Sequence, residues 1–377
     1  MKTHKLFILM LSILSMIFIV GCGGGGSGFA PMLEGRGEHA AALLNDGRLL
    51  VAGGRGSSVL VSAEVYDTTT AEWSSGGSMA NARYKHTLTT LNDGKVLAVG
   101  GGAAADISAS TAEIYDPSKG TWSSAGSMIW PHGIGHTATL LDDGKLLVTG
   151  GLTLVEGTKR TAVFAELYDP STGEWSLTGD MTEKREKHQA VLLKNGSVLI
   201  VGGTSSDLYD PTTGIFSKAG TFEKSHDEDF SATLLNDGRV IVAGGGTKGQ
   251  YASTKQLSHV DIYDPSTGEW SSATDMTTKS WGHTATVLND GNLLIMNYKS
   301  AELYNPDTNA WTFVNNLPQK HGDSPGGKSH TSTLMADGTV LIVGGGDVKY
   351  TVNGFAQERN GLVEVDVYNT AIPWPTK

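Results

Sequence analysis

One short unit occurs seven times along this chain, and that repetition limits what the chain can fold into. Each unit carries a turn pair: Asp46-Gly47, Asp93-Gly94, Asp143-Gly144, Asn195-Gly196, Asp237-Gly238, Asp290-Gly291 and Asp337-Gly338. The pairs are 47, 50, 52, 42, 53 and 47 residues apart. A length of 377 residues would otherwise argue for two or three domains. A repeat of this size is one small supersecondary unit that buries its apolar faces only against its neighbours.

The clearest copy runs from His136 to Gly151 and resumes from Ala165 to Trp175. His136–Leu141 alternates and is rich in small residues, as suits a strand beside a crowded axis. Asp143-Gly144 supplies the positive φ angles of a tight hairpin. Lys145–Val148 is almost continuously apolar, the pattern of a strand covered on both faces. Gly150-Gly151 lets backbone turn and approach closely. Tyr168 opens the outer half, Asp169-Pro170 with Gly173 turns the chain again, and Trp175 fills the wider gap between outer strands. With 50 glycines and only 18% charged residues, the composition favours many short strands and tight turns over helices.

These marks resemble the kelch family, whose signature is Gly-Gly, then Tyr, then Trp. Tyr and Trp stand seven apart in Tyr66/Trp73, Tyr115/Trp122, Tyr168/Trp175, Tyr263/Trp270 and Tyr304/Trp311. The fourth copy has Phe216 for Trp, the sixth has Met296-Asn297 for Gly-Gly, and the seventh has Tyr368 with Trp374 one residue early. The resemblance implies an all-β fold over residues 29–377: a seven-bladed kelch-type β-propeller with four antiparallel strands per blade. Pro31-Met32, Arg36 and His39 repeat the pattern of Met79, Arg83 and His86, so the N-terminal segment is expected to pair with the truncated seventh blade and close the ring.

Residues 1–22 have a different character. A basic start, an apolar run from Leu6 to Val20 and then Gly21-Cys22 are the parts of an export signal. Ile19–Cys22 resembles the bacterial lipoprotein signal, whose cysteine is lipidated and becomes the mature N-terminus. Cys22 is the only cysteine, and residues 23–28 form a Gly/Ser tether. The expectation is an exported protein anchored through lipid on Cys22, at an outer membrane or cell surface, with no disulfide in the folded body. A net charge of −11 makes nucleic acid a poor partner.

Comparison of the copies separates two faces. The hairpins between first and second strands are uniformly short. The connections from second to third strands vary: 102–111, 152–164, 246–259 and 346–361 are long, and 204–206 is nearly absent. Function tends to sit on varied loops carried by a rigid scaffold. The candidate ligand-binding residues feeding that face are Arg36, Arg83, Lys85, Trp130, His132, Arg185, Lys187, His226, Asp227, Asp229, Trp281 and Lys328. Aromatic and charged groups together suit a protein or carbohydrate ligand of the cell envelope or exterior.

Other patterns carry less. His39, His86, His136, His188, His283 and His330 share one repeat position, with Phe230 in the fifth copy. A residue set by the repeat reads as a blade-packing hydrogen bond rather than a ring of metal ligands. Residues 322–329 match a phosphate-binding loop, but a strand pattern follows where that loop needs a helix. His226–Asp229 lacks the alternation of a calcium loop. The expectation is therefore a binding module with no metal, cofactor or catalytic residue. A sugar-active enzyme resembling the sialate epimerases is the alternative; copper-radical oxidase chemistry lacks its cross-linked cysteine.

Overall fold

A computed structural model describes residues 30–102, 110–155, 158–247, 255–297, 300–314, 330–344 and 365–369. Cys22 and the leader, the 23–28 tether, Lys328, the 322–329 segment, Trp374 and the whole 346–361 loop lie outside the described residues.

Among the described residues, seven antiparallel sheets of three or four strands follow one another along the chain, with two further two-stranded hairpins in their connections. Their innermost strands are Ala40–Leu43, Thr87–Thr90, His136–Leu140, Gln189–Leu192, Ser231–Leu234, Thr284–Val287 and His330–Leu334. Each innermost strand touches that of the next sheet, and the seventh touches the first, so the ring is closed. The sheets are numbered below as blades one to seven in chain order.

Five blades have four strands each. Blade four departs from the expected four: Val198–Asp210 runs through the second and third positions as one extended segment, with register shifts at Gly203/Ser205 and Ser205/Asp207. The cause is its nearly absent connection, which leaves no loop to separate the two strands. Blade seven shows three strands among the described residues, the third being Val365–Asn369.

The core lies between blades rather than within them, because each sheet is covered on both faces by its neighbours. Seven apolar clusters fill the seven gaps. One joins Leu50, Ala52 and Val65 of blade one to Val96, Ala98 and Tyr115 of blade two. Another joins Leu49, Val51 and Trp73 to Met335, Leu341 and Val343 across the closure. Met32 sits in that closing cluster, as Met79, Met128, Met181 and Met276 sit in theirs. Among the described residues the N-terminal segment does not pair as a strand with blade seven; it seals the ring by side-chain packing between blades seven and one.

The repeat marks explain this packing. Tyr66 is the register partner of Trp73, and their rings lie 5.1 Å apart. The indoles of Trp122, Trp175, Trp270 and Trp311 donate to carbonyls of the preceding blade: Gly76, Ala125, Ala219 and Thr274. The paired glycines admit the next blade. A Cβ on Gly150 would stand 2.5 Å from the Arg185 carbonyl and 2.8 Å from the His188 ring. Gly151 then donates its N–H to that same carbonyl at 2.9 Å.

Candidate functional site: the loop-bearing face and channel mouth

Five of the described connections between blades are pinned by an acid of the blade they lead into. In blade two, Glu113 accepts the backbone N–H groups of Ala80 (2.6 Å) and Asn81 (3.0 Å). Glu64 holds Leu33 and Glu34, Glu166 holds Ile129 and Trp130, and Glu302 holds Thr277 and Thr278 in the same way. A cation then covers the acid. Arg36 pairs with Glu64 at 2.7 Å, Arg83 with Glu113 at 2.9 Å and Arg185 with Asp207 at 3.3 Å.

This changes the reading of five candidate residues. Arg36, Arg83, His132 and His226 are fully buried, and Arg185 is 5% exposed. Their polar ends look into the blades, where the guanidiniums also donate to the backbone carbonyls of Gly53, Gly100 and Gly202. His132 and His226 fill the arginine position, with Nδ1 2.8 Å from the carbonyls of Gly150 and Gly244. Their Nε2 atoms face Glu166 at 3.4 Å and Asp261 at 3.1 Å. These residues hold the fold, and Arg185 also borders a notch over blade four. Sequence proximity to the loops could not distinguish a side chain aimed outward from one folded back.

The remaining described candidates lie nearer the face, while Lys328 is outside the described residues. Lys85, Lys187 and Asp229 surround the mouth of the central channel, a cavity of about 430 Å³ that also touches Glu38, His39, His86, Thr87, His136 and His188. Backbone strain concentrates here: Glu38, Lys85, Lys187 and Asp229 have φ of 54°, 51°, 57° and 51°. Lys85 N–H donates to the Glu38 carbonyl at 2.9 Å, Lys187 to Gly135 at 2.9 Å and Gly282 to Asp229 at 2.8 Å. The left-handed conformation is what points these amides at the neighbouring blade. Glu38 was missed from the sequence; its carboxylate sits between Lys85 (3.0 Å) and Arg55 (3.2 Å). The available signal was glycine at the same repeat position, Gly135 and Gly282, which marks a positive φ.

The innermost histidines are buried in this wall. Burial, chiefly, lowers His39 and His188 to about 3 and His136 to about 4, so they stand neutral as hydrogen-bonding groups. His188 Nε2 lies 3.0 Å from Thr137 and 2.8 Å from Thr149. These three rings each couple their blade to the preceding one.

Two features lie further out. Over blade four the short connection leaves a notch of about 420 Å³ lined by Glu183, Lys184, Glu186, Ser205 and Asp227. The blade-three connection stands up as a hairpin, Leu152–Val155 against Thr158–Thr161. Beside it the Trp130 ring lies parallel to Phe164, centroids 4.6 Å apart and 12° between planes. Trp130 is 38% exposed, while its backbone N–H is held at 2.6 Å by buried Glu166. Trp281 is half-buried. Among the described residues, no group of three or more His, Cys, Asp or Glu side chains is arranged to hold a metal ion. The strand His330–Leu334 follows residues 322–329, where a phosphate loop needs a helix.

The Kelch motif profile matches residues 36–80, 83–129 and 231–277. No curated protein matches the sequence. Among solved structures, the chain is similar to a fungal alcohol oxidase of the AA5 family determined in complex with copper. The TM-score is 0.70 at 18% identity, over 95% of this chain and 79% of that one, a likeness that shows the fold alone. The matched motifs and the closed ring of seven antiparallel blades together place the chain among the kelch-repeat β-propellers, a fold that serves generally as an interaction module.

Proposed function

We propose that this chain is an exported binding module, tethered to a bacterial membrane by lipid on Cys22, that takes a carbohydrate or protein of the cell envelope on its loop-bearing face. The observation that carries the reading is the Trp130–Phe164 stack. An exposed indole costs little to hold when its backbone is clamped and its other face is packed. Such a preset aromatic surface suits the apolar face of a sugar ring or an aliphatic side chain. Ile129 beside it is 51% exposed and widens the apolar area.

The test is to probe residues 29–377 against a glycan array and against envelope extracts, beside the Trp130→Ala variant. The expected result is capture of a discrete ligand that weakens about tenfold or more in the variant. Undiminished capture by Trp130→Ala would remove the platform from the reading, and reproducible turnover of a sugar would replace the binding module by an enzyme. The anchor is tested separately: Cys22→Ser is expected to move the full chain from the membrane to the soluble fraction, and unchanged membrane retention overturns lipidation.

A further inference from the structure

Blades one to six each carry a buried acid at the third-strand position, and the residue that covers it differs around the ring. Arg36 covers Glu64 at 2.7 Å, Arg83 covers Glu113 at 2.9 Å and Arg185 covers Asp207 at 3.3 Å. In blade three His132 takes the place of arginine and faces Glu166 at 3.4 Å, with both side chains closed to solvent. Blade five makes the same exchange, His226 facing Asp261 at 3.1 Å, with His259 on the same oxygen. Blade six has Ser280 there, and the Thr278 hydroxyl gives Glu302 a further donor. In blade three the residue at the place of Thr278 is Trp130.

Arginine keeps its charge across the pH range of proteins, whereas an imidazole ordinarily titrates between about pH 5 and 8. His132 Nδ1 lies 2.8 Å from the Gly150 carbonyl, which only accepts, so this nitrogen carries a hydrogen. The Glu166 oxygens accept the backbone N–H groups of Ile129 at 2.8 Å and Trp130 at 2.6 Å, the work of a carboxylate. Nε2 makes no hydrogen bond to any other group. The imidazole and the carboxylate therefore attract only while a second proton lies between them.

The other ionisable groups around His132 are His136, with ring centroids 6.5 Å apart, and His188. Burial, chiefly, lowers His136 to about 4 and His188 to about 3, so both stay neutral while His132 holds its proton. Arg83 and Arg185 act on those two rings in turn, with charges that do not change with pH. Loss of the shared proton leaves the Glu166 carboxylate buried without a cation, which is unfavourable. What that carboxylate holds is the backbone of Ile129 and Trp130, directly under the Trp130–Phe164 stack.

We infer that His132 is a proton-dependent latch on the Trp130 platform: with the shared proton in place Glu166 grips the Ile129 and Trp130 amides, and its loss as pH rises frees them. The connections that arginine covers stay pinned throughout. His132 is a positioning residue, acting through Glu166. Its bearing on ligand capture rests on the proposed function, whereas the latch itself needs no ligand.

The test follows backbone hydrogen exchange of residues 29–377 by NMR from about pH 5 to about pH 8, together with the imidazole ¹⁵N signals. The reference amides are Ala80 and Asn81, which Glu113 holds under Arg83. Protection of Ile129 and Trp130 relative to them is expected to fall about tenfold or more as the His132 signals show proton loss. His132→Arg, which copies blades one and two, is expected to hold that ratio constant. A constant ratio in the wild type, or an equal fall in His132→Arg, overturns the latch; the wild-type profile decides alone where the variant does not fold. On the glycan array, Trp130-dependent capture is expected to weaken over the same interval. Trp130-dependent capture of equal strength at both ends overturns the gating and leaves the module reading standing. Exchange that follows the His132 proton without any Trp130-dependent capture keeps the latch and removes the platform as a ligand surface.

Discussion

Replacing Arg83 by alanine tests whether the buried cations hold the propeller together. Arg83 is fully buried and donates to the Gly100 and Thr111 carbonyls, the Thr111 hydroxyl and the Glu113 carboxylate. Its loss leaves Glu113, itself 3% exposed, without a neutralising charge. Burial pushes the Glu113 carboxyl up, but the Ala80 N–H, Arg83 and Asn81 together bring it below its ordinary value. Removing one member of a buried pair costs about 3–5 kcal/mol, because the surviving charge stays desolvated. The surface pair Arg48–Asp46 is the control: its side chains are 34% and 48% exposed, and such pairs contribute about 0–1 kcal/mol. Urea unfolding of residues 29–377 should therefore show Arg83→Ala losing several times more stability than Arg48→Ala. Adding Glu113→Gln should recover part of the loss, since no charge is then stranded. An Arg83→Ala loss no larger than that of Arg48→Ala would refute the reasoning.

Acid should destabilise the ring through its histidines. His39, His136 and His188 titrate near 3 to 4 when folded and near the ordinary 6.5 when unfolded, so only the unfolded chain takes up protons as pH falls through that interval. Each group removes up to about 1.4 kcal/mol per pH unit there; melting temperature should fall steeply from pH 6 to 4, with a shallower slope in His188→Phe, and an unchanged slope in that variant sinks the account. Glycine substitutions should separate strain from collision. Gly173→Ala, at φ +75° with nothing within 4 Å of the new Cβ, should cost about 1–2 kcal/mol; Gly150→Ala meets the Arg185 carbonyl and should lose far more or fail to fold. A similar melting temperature for the two variants would count against close blade approach.

What could be read directly was whatever each repeat encodes locally. Positive φ at Gly47, Gly94 and Gly144 follows from turn chemistry, and the apolar runs Leu49–Ala52 and Val96–Val99 follow from burial on both faces. Tyr and Trp seven apart become register partners across one hairpin, so their contact was fixed by spacing. The varied connections likewise showed which face to inspect. The direction of a side chain leaving a connection is a different matter, because it depends on acceptors contributed by residues distant in sequence. Arg83 reads like a loop cation until Glu113, thirty residues on, turns it inward. Lys85, two residues later, faces the channel because its backbone is left-handed. The hydroxyl that His188 meets belongs likewise to Thr137 of the preceding blade, so the contact exists only once the ring has brought the two blades together.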